Sequence, residues 1–240
     1  MPYFLASENL LLDRAVRLCG QEADHILLSR RAKVGEQIKV QGPDGKRFIA
    51  SITDLKKHEV VVVPKEEVAV PPEPDTKTIL YQSVVAGGTI DVVLQKATEL
   101  GAAEVVLFNS QFTATRLLAD KFQAKLPRWQ KILWEAAKQS ERAHPPALRY
   151  LPDIGGIAAD AATLDKLFVF DVTGQPLPAI SYQLQTVGAV IGPEGGLSTD
   201  ELKLLSALPN SQIVKLGLTL LKADTAAIAA LATCQFKNLK

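Results

Sequence analysis

Two glycine-bearing loops near the C-terminus hold the residues best suited to chemistry. The first reads Ile191-Gly192-Pro193-Glu194-Gly195-Gly196-Leu197-Ser198; the second reads Leu216-Gly217-Leu218-Thr219-Leu220-Leu221-Lys222-Ala223-Asp224-Thr225-Ala226. Glycine lets a chain turn sharply and brings its backbone amides close to a ligand. A single glycine-rich turn more often only shapes a loop, and it is the second, apolar loop that raises the functional reading. Neither loop has the G-x-G-x-x-G spacing of a dinucleotide site or the G-K-[ST] ending of a phosphate loop, so NAD and ATP match poorly. Two such loops suit a flat, uncharged adenine clamped between backbone amides and leucine side chains. The expected binding residues are Ile191, Gly192, Glu194, Gly195 and Gly196, with Leu216, Gly217, Leu218, Leu220, Leu221 and Thr225.

These loops need elements to hold them. A strand-like run, Val187 to Ile191, leads into the first, and a helix start follows it. Ser198 is a fitting N-cap with Glu201 as its capping-box partner, and Leu197 with Leu202 forms a hydrophobic staple. The second loop opens an alanine-rich helix, Thr225 to Phe236. Further upstream, Pro71-Pro72-Glu73-Pro74-Asp75 resists both helix and ladder and divides the chain into residues 1–72 and 73–240. Before it, Gln37 to Gln41, Phe48 to Thr53 and Val60 to Val63 read as short strands, with a turn at Gly42-Pro43-Asp44-Gly45, and predict a small β-barrel. After it, Ile90, Val93, Leu94, Ala97 and Leu100 line one helical face ending at Gly101. Strand-like runs follow at Glu104 to Phe108 and Leu167 to Phe170, predicting an α/β domain with a mostly parallel sheet.

Composition agrees with a packed globular chain. Of 240 residues, 47% are hydrophobic and the formal net charge is +1. Cys19 and Cys234 lack metal-site spacing, which predicts no metal site and no disulfide framework, and each reads as a small buried hydrophobe. No signal-peptide pattern and no apolar run of membrane-spanning length are present, so a soluble cytosolic protein is expected. Charge is uneven, however. Residues 111–150 carry eight Lys or Arg against three acids. A basic helix bearing Trp129 and Trp134 could contact phosphates, although a solvated face with its tryptophans in the core is the stronger reading. A second basic cluster, Arg30, Arg31 and Lys33 beside His25, falls in the barrel domain.

The motifs together carry a resemblance. His25 to Glu36, the block KATELG (Lys96 to Gly101), Arg128 to Arg142, IGPEGGLS (Ile191 to Ser198) and Leu216 to Ala226 resemble the RsmE family, methyltransferases that act on N3 of one uridine in 16S ribosomal RNA. The resemblance implies a PUA-like barrel that helps hold RNA through His25, Arg30, Arg31, Lys33 and Arg142. It also implies a SPOUT domain knotted as a trefoil around S-adenosylmethionine, and a homodimer working on ribosomal RNA in the small subunit or its assembly intermediate. Some positions depart from the family pattern. Leu28, His144, Thr219 and Lys222 stand where arginines are usual, and Asp224 replaces a glutamate. Lysine lacks the planar two-point hydrogen bond of a guanidinium, so RNA grip or transition-state support is expected to be weaker or rearranged, with cofactor binding less affected.

Uracil N3 carries a proton and is a poor nucleophile, so the chemistry needs a base and a cation. Arg142 or Lys222 could stabilise the anion spreading onto the carbonyl oxygens, an effect of ~3 kcal/mol per donor. Glu194 or Asp224 could take the proton, although an acid at a helix start also complements the helix dipole. Two other functions stay open: a SPOUT methyltransferase acting on another RNA or base, and an RNA-binding protein that kept the fold while losing arginines.

Overall fold

The computed structural model describes residues 3–177 and 184–235. The chain divides into two compact units, Met1–Pro72 with Ala137–His144, and Glu73–Ala136 with Pro145–Lys240. The expected division gave all of 73–240 to one domain. The structure moves Ala137–His144 to the first unit instead.

The first unit contains β1 (Phe4–Leu5), β2 (Val16–Cys19), α1 (Gln21–Asp24) running into a π turn (His25–Ser29), then β3 (Gln37–Gln41), β4 (Arg47–Lys56) and β5 (Glu59–Val68). The strands form one sheet in the order β1-β3-β4-β5-β2 and curl into a nearly closed small barrel. Only β1 with β3 is parallel. Alternation fixes which face is inside: Ile38, Val40, Phe48, Ala50, Ile52, Val60 and Val62 are buried in one core. The expected strands correspond to β3, β4 and β5, while β1 and β2 are additional.

The transferred segment is held by its backbone. Tyr3 Oη donates to the Arg142 carbonyl at 2.6 Å, and Gln41 Nε2 donates to the Ala143 carbonyl at 2.7 Å. Arg47, 1% exposed, donates from Nη2 to the carbonyls of Glu141 and Arg142 at 3.3 Å each and to Gln41 Oε1 at 2.8 Å. Its Nη1 bonds the Glu141 carboxylate, and its guanidinium lies 3.9 Å from the Tyr3 ring centroid. A buried guanidinium needs nearly all its donors satisfied, and Gln41 with residues 141 and 142 satisfies them. Glu141 itself adopts a left-handed φ of 59°.

Burial works against the Glu141 carboxylate, yet the hydrogen bond and charge of Lys39 and the charge of Arg47 outweigh it and hold its pKa below the ordinary value. A depressed folded pKa adds stability above the ordinary carboxylate range, and that stability disappears as pH falls through the folded value. The thermal midpoint of the parent should therefore exceed that of Glu141→Gln at neutral pH, and the gap should close below about pH 4. A gap unchanged down to pH 3 would remove Glu141 from the stability of this unit.

The second unit contains β6 (Lys77–Ser83), α2 (Thr89–Glu99), β7 (Glu104–Phe108), α3 (Ala119–Gln139), β8 (Ala147–Leu151), α4 (Gly155–Ala161), β9 (Lys166–Pro176), β10 (Thr186–Ile191), α5 (Thr199–Ser206), β11 (Ser211–Lys215) and α6 (Ala223–Gln235). The last residues of α3 belong to the first unit. The sheet order is β11-β9-β10-β6-β7-β8 and every pairing is parallel. Both faces are covered, as a parallel sheet requires. Phe168, Val187, Ala189 and Ile191 pack with residues of α2, α3 and α6, while Val169, Val190 and Phe108 pack with residues of α4 and α5. The helix expected from Thr225 to Phe236 is α6, and Phe236 lies outside the described residues.

One irregularity bears on function. Val169 of β9 pairs with Ile213, but the next residue of β11, Val214, pairs with Gln175. Residues 170–174 thus leave the ladder, which resumes at Gln175 just after Gly174. A Cβ on Gly174 would come within 2.5 Å of the Val214 carbonyl carbon, so only glycine permits the return.

Candidate active site

The two glycine loops meet at the carboxyl ends of β10 and β11, beside the detour of β9, where ligands bind in open parallel sheets. Between them lies a cavity of about 610 Å³, within the range of small-molecule sites. Its first wall is the β10–α5 loop, Ile191 to Leu197, and its second is Lys215 to Ala223 with Ala226. Its third wall is the detour of β9, at Phe170, Asp171 and Val172.

Local sequence explains the first wall. Gly196 has φ +74°, a left-handed conformation natural to glycine. The loop then enters α5 through a complete capping box: Ser198 Oγ accepts from Glu201 N at 3.3 Å, and Glu201 Oε2 accepts from Ser198 N at 2.8 Å. Leu197 and Leu202 join the same apolar cluster, as a staple would place them. The second wall enters α6, where the Lys222 carbonyl accepts from Ala226 N at 2.8 Å. Its leucines differ in role. Leu216 and Leu221 are half-buried, whereas Leu218 and Leu220 are 99% and 83% exposed and contribute little to the core.

Of the expected binding residues, Ile191, Gly192, Glu194, Gly195, Gly196, Leu216, Gly217, Leu218, Leu220 and Leu221 line the cavity, and Thr225 does not. Among the four candidates for chemistry, Glu194 and Lys222 line it. Glu194 lies in the loop itself, ahead of α5, rather than at the helix start that was expected. Asp224 sits in the first turn of α6, where its Oδ1 accepts from Thr225 N at 2.8 Å, and does not line the cavity. Arg142 belongs to the first unit together with His25, Arg30, Arg31 and Lys33. In that group His25, Arg31 and Lys33 are exposed, and Leu28, at a usual arginine position, is 70% exposed. Phe170, Asp171, Val172 and Lys215 were missed as cavity residues. The general preference for carboxyl strand ends would have pointed to the residues that follow the run 167–170.

Elsewhere, Trp129 is buried in the core and donates to Asp91, which also binds Arg128, so this tryptophan is structural. Lys121, Lys125 and Lys131 are exposed on α3. Cys234 is buried as expected of a small hydrophobe, whereas Cys19 is exposed. Among the described residues no His, Cys, Asp and Glu group is arranged to hold a metal ion, and no helix is long and apolar enough to cross a membrane.

Comparison with known proteins gives this geometry a family. The model of the RNA methyltransferase domain matches residues 71–235. The chain belongs to the RNA methyltransferase domain family. A Bacillus subtilis relative, ribosomal RNA small subunit methyltransferase E, is 27% identical over 251 residues, covering 98% of this chain and 96% of its own. The Neisseria gonorrhoeae protein of the same name, solved with S-adenosylmethionine bound, superposes with a TM-score of 0.85 at 28% identity over 98% of this chain and 97% of its own. A Legionella pneumophila protein solved in complex with the same cofactor gives 0.88 at 27% identity, covering 98% and 96% of the two chains. The family match includes both cavity loops, and the two superposed structures extend over the barrel as well.

Proposed function

We propose that this protein uses S-adenosylmethionine to methylate N3 of a uridine in small-subunit ribosomal RNA. The observation that carries the reading is the cavity at the carboxyl ends of β10 and β11, walled by the two loops of the RNA methyltransferase domain and the detour of β9. The residues present fit such a cofactor. Gly192, Gly195 and Gly196 leave the first wall open to close backbone approach, the second wall offers leucines to an adenine, and the volume suits a ligand of that size. S-adenosylmethionine supplies, when bound, an electrophilic methyl group on a sulfonium.

The chain's own residues must prepare the acceptor. Lys222, exposed on the cavity wall, provides the positive charge that favours the uracil anion. Of the two carboxylates on the cavity wall, Asp171 accepts from Thr173 N and Oγ1 within its own turn, and Glu194 takes the N3 proton, while Asp224, outside the cavity, complements the first turn of α6. Fixing acceptor and donor in line accounts for ~7 kcal/mol or more of the barrier. In the first unit, Arg142, Arg30, Arg31, Lys33 and His25 contact the phosphates of the RNA. The trefoil knot, a cytoplasmic location and a homodimer belong to the same reading. The dimer is supported by Val172, Leu218 and Leu220, which are 65%, 99% and 83% exposed beside the cavity and form apolar surface that a second copy would cover.

Mapping modified bases in ribosomal RNA from cells with and without the gene tests the assignment. One N3-methyluridine in 16S ribosomal RNA should vanish with the gene. Loss of a different modification would redirect the enzyme to another base, and failure of the purified protein to bind S-adenosylmethionine in calorimetry would leave only an RNA-binding role.

A further inference from the structure

The capping box of α5 does more than a cap requires. Glu201, 8% exposed, serves Ser198 N with one carboxylate oxygen; its other oxygen, Oε1, accepts from Gln111 N at 2.8 Å, across 90 residues of sequence. Gln111 lies in a turn after β7 that is closed by its own bonds, Ser110 N to Thr113 Oγ1 at 2.8 Å and Thr113 N to the Ser110 carbonyl at 3.2 Å. Thr113 Oγ1 also lies 3.2 Å from Ser83 Oγ at the end of β6. A second contact joins the turn to the cavity wall: a Cβ on Gly195 would lie 3.2 Å from Phe112 Cβ. A buried carboxylate with both oxygens on backbone N–H groups makes strong, charge-assisted bonds, and here they bind two separate loops.

We propose that Glu201 is a positioning residue that locks the cofactor loop 192–197 to the turn 110–113, and through Ser83 to the sheet. The inference rests on the reading that the cavity takes S-adenosylmethionine. The lock holds the loop's backbone ready before the ligand arrives, so binding loses less conformational freedom. Neither contact with the turn is needed for the helix start, which separates this role from ordinary capping.

Two variants separate them experimentally. Ser198→Ala removes half the cap and leaves both Glu201 oxygens in place. Glu201→Gln keeps size but retains one acceptor for two N–H groups. In hydrogen–deuterium exchange of ligand-free protein, Glu201→Gln should speed exchange about tenfold in 110–113 and 192–197 together, whereas Ser198→Ala should speed it only at the start of α5. Calorimetry should show S-adenosylmethionine bound about tenfold more weakly by Glu201→Gln and within about twofold of the parent by Ser198→Ala. Phe112→Ala, at a half-exposed position that should not endanger folding, should speed exchange in 192–197 without touching α5. Identical exchange and affinity profiles for Glu201→Gln and Ser198→Ala would overturn the lock, as would unchanged exchange of 192–197 in Glu201→Gln. If the parent itself fails to bind S-adenosylmethionine, the cofactor reading falls, while the exchange data still decide whether the two loops are coupled.

Discussion

Replacing Lys222 by alanine is expected to slow methyl transfer to ribosomal RNA about a hundredfold at saturating RNA, with cofactor and RNA affinity nearly unchanged. The side chain is exposed on the cavity wall, so its removal leaves the core intact. Its backbone carbonyl accepts from Ala226 N, a bond that persists in alanine. An effect confined to the transition state lowers the single-turnover rate constant without moving Kd. Lys222→Arg should hold or raise the rate, since a guanidinium offers two donors where the ammonium offers a point charge. Turnover of Lys222→Ala at the parent rate would reduce Lys222 to a solvated residue at a helix start and leave Lys215 as the other cation lining the cavity.

The largest effect on stability is expected at Arg47. Replacing it with alanine should cost about 3–5 kcal/mol in urea unfolding, because one partner of a buried charge network is removed and the others are left without donors. Gln41 Oε1 and the carbonyls of Glu141 and Arg142 all lose bonds, and Tyr3 loses the cation stacked on its ring. Arg47→Lys should fall between, since one ammonium cannot reach Gln41 and the 141–142 carbonyls together. A loss below about 1 kcal/mol for Arg47→Ala would show that water replaces these bonds freely.

The uneven legibility of this chain follows from the range of each signal. Ser198 with Glu201, Gly196 in its left-handed turn and the inward alternation of Ile38 and Val40 are local, and local pattern predicts them. Strand β6 was not expected, because Thr78, Gln82 and Ser83 are buried polar residues that break the apolar pattern. Strands β1 and β2 are two and four residues long, and β1 exists through its parallel pairing with β3. The third cavity wall depends on where β11 rejoins β9, which no run of β9 residues encodes by itself. Arg47 reads as an ordinary basic residue after a glycine turn, and its burial depends on a partner 94 residues away. For the same reason Ala137–His144 looked like part of the second domain: helical periodicity continues through Gln139, and only the carbonyl acceptors beyond it reveal the other allegiance.

That divided allegiance has a consequence for how the protein is made and dissected. During synthesis, the strands of the first unit emerge long before residues 141–143, so Arg47 has no Glu141 and Tyr3 no Arg142 carbonyl until more than half the chain has been translated. The nascent barrel must wait with its charged interior wet, and its last closure is postponed until part of the second unit is already outside the ribosome. A fragment ending at the proline linker should accordingly be a poor miniature of the unit. A fragment that carries residues 137–144 grafted behind it should fold better, although those residues are separated from it in the gene by two strands, a whole helix and most of another.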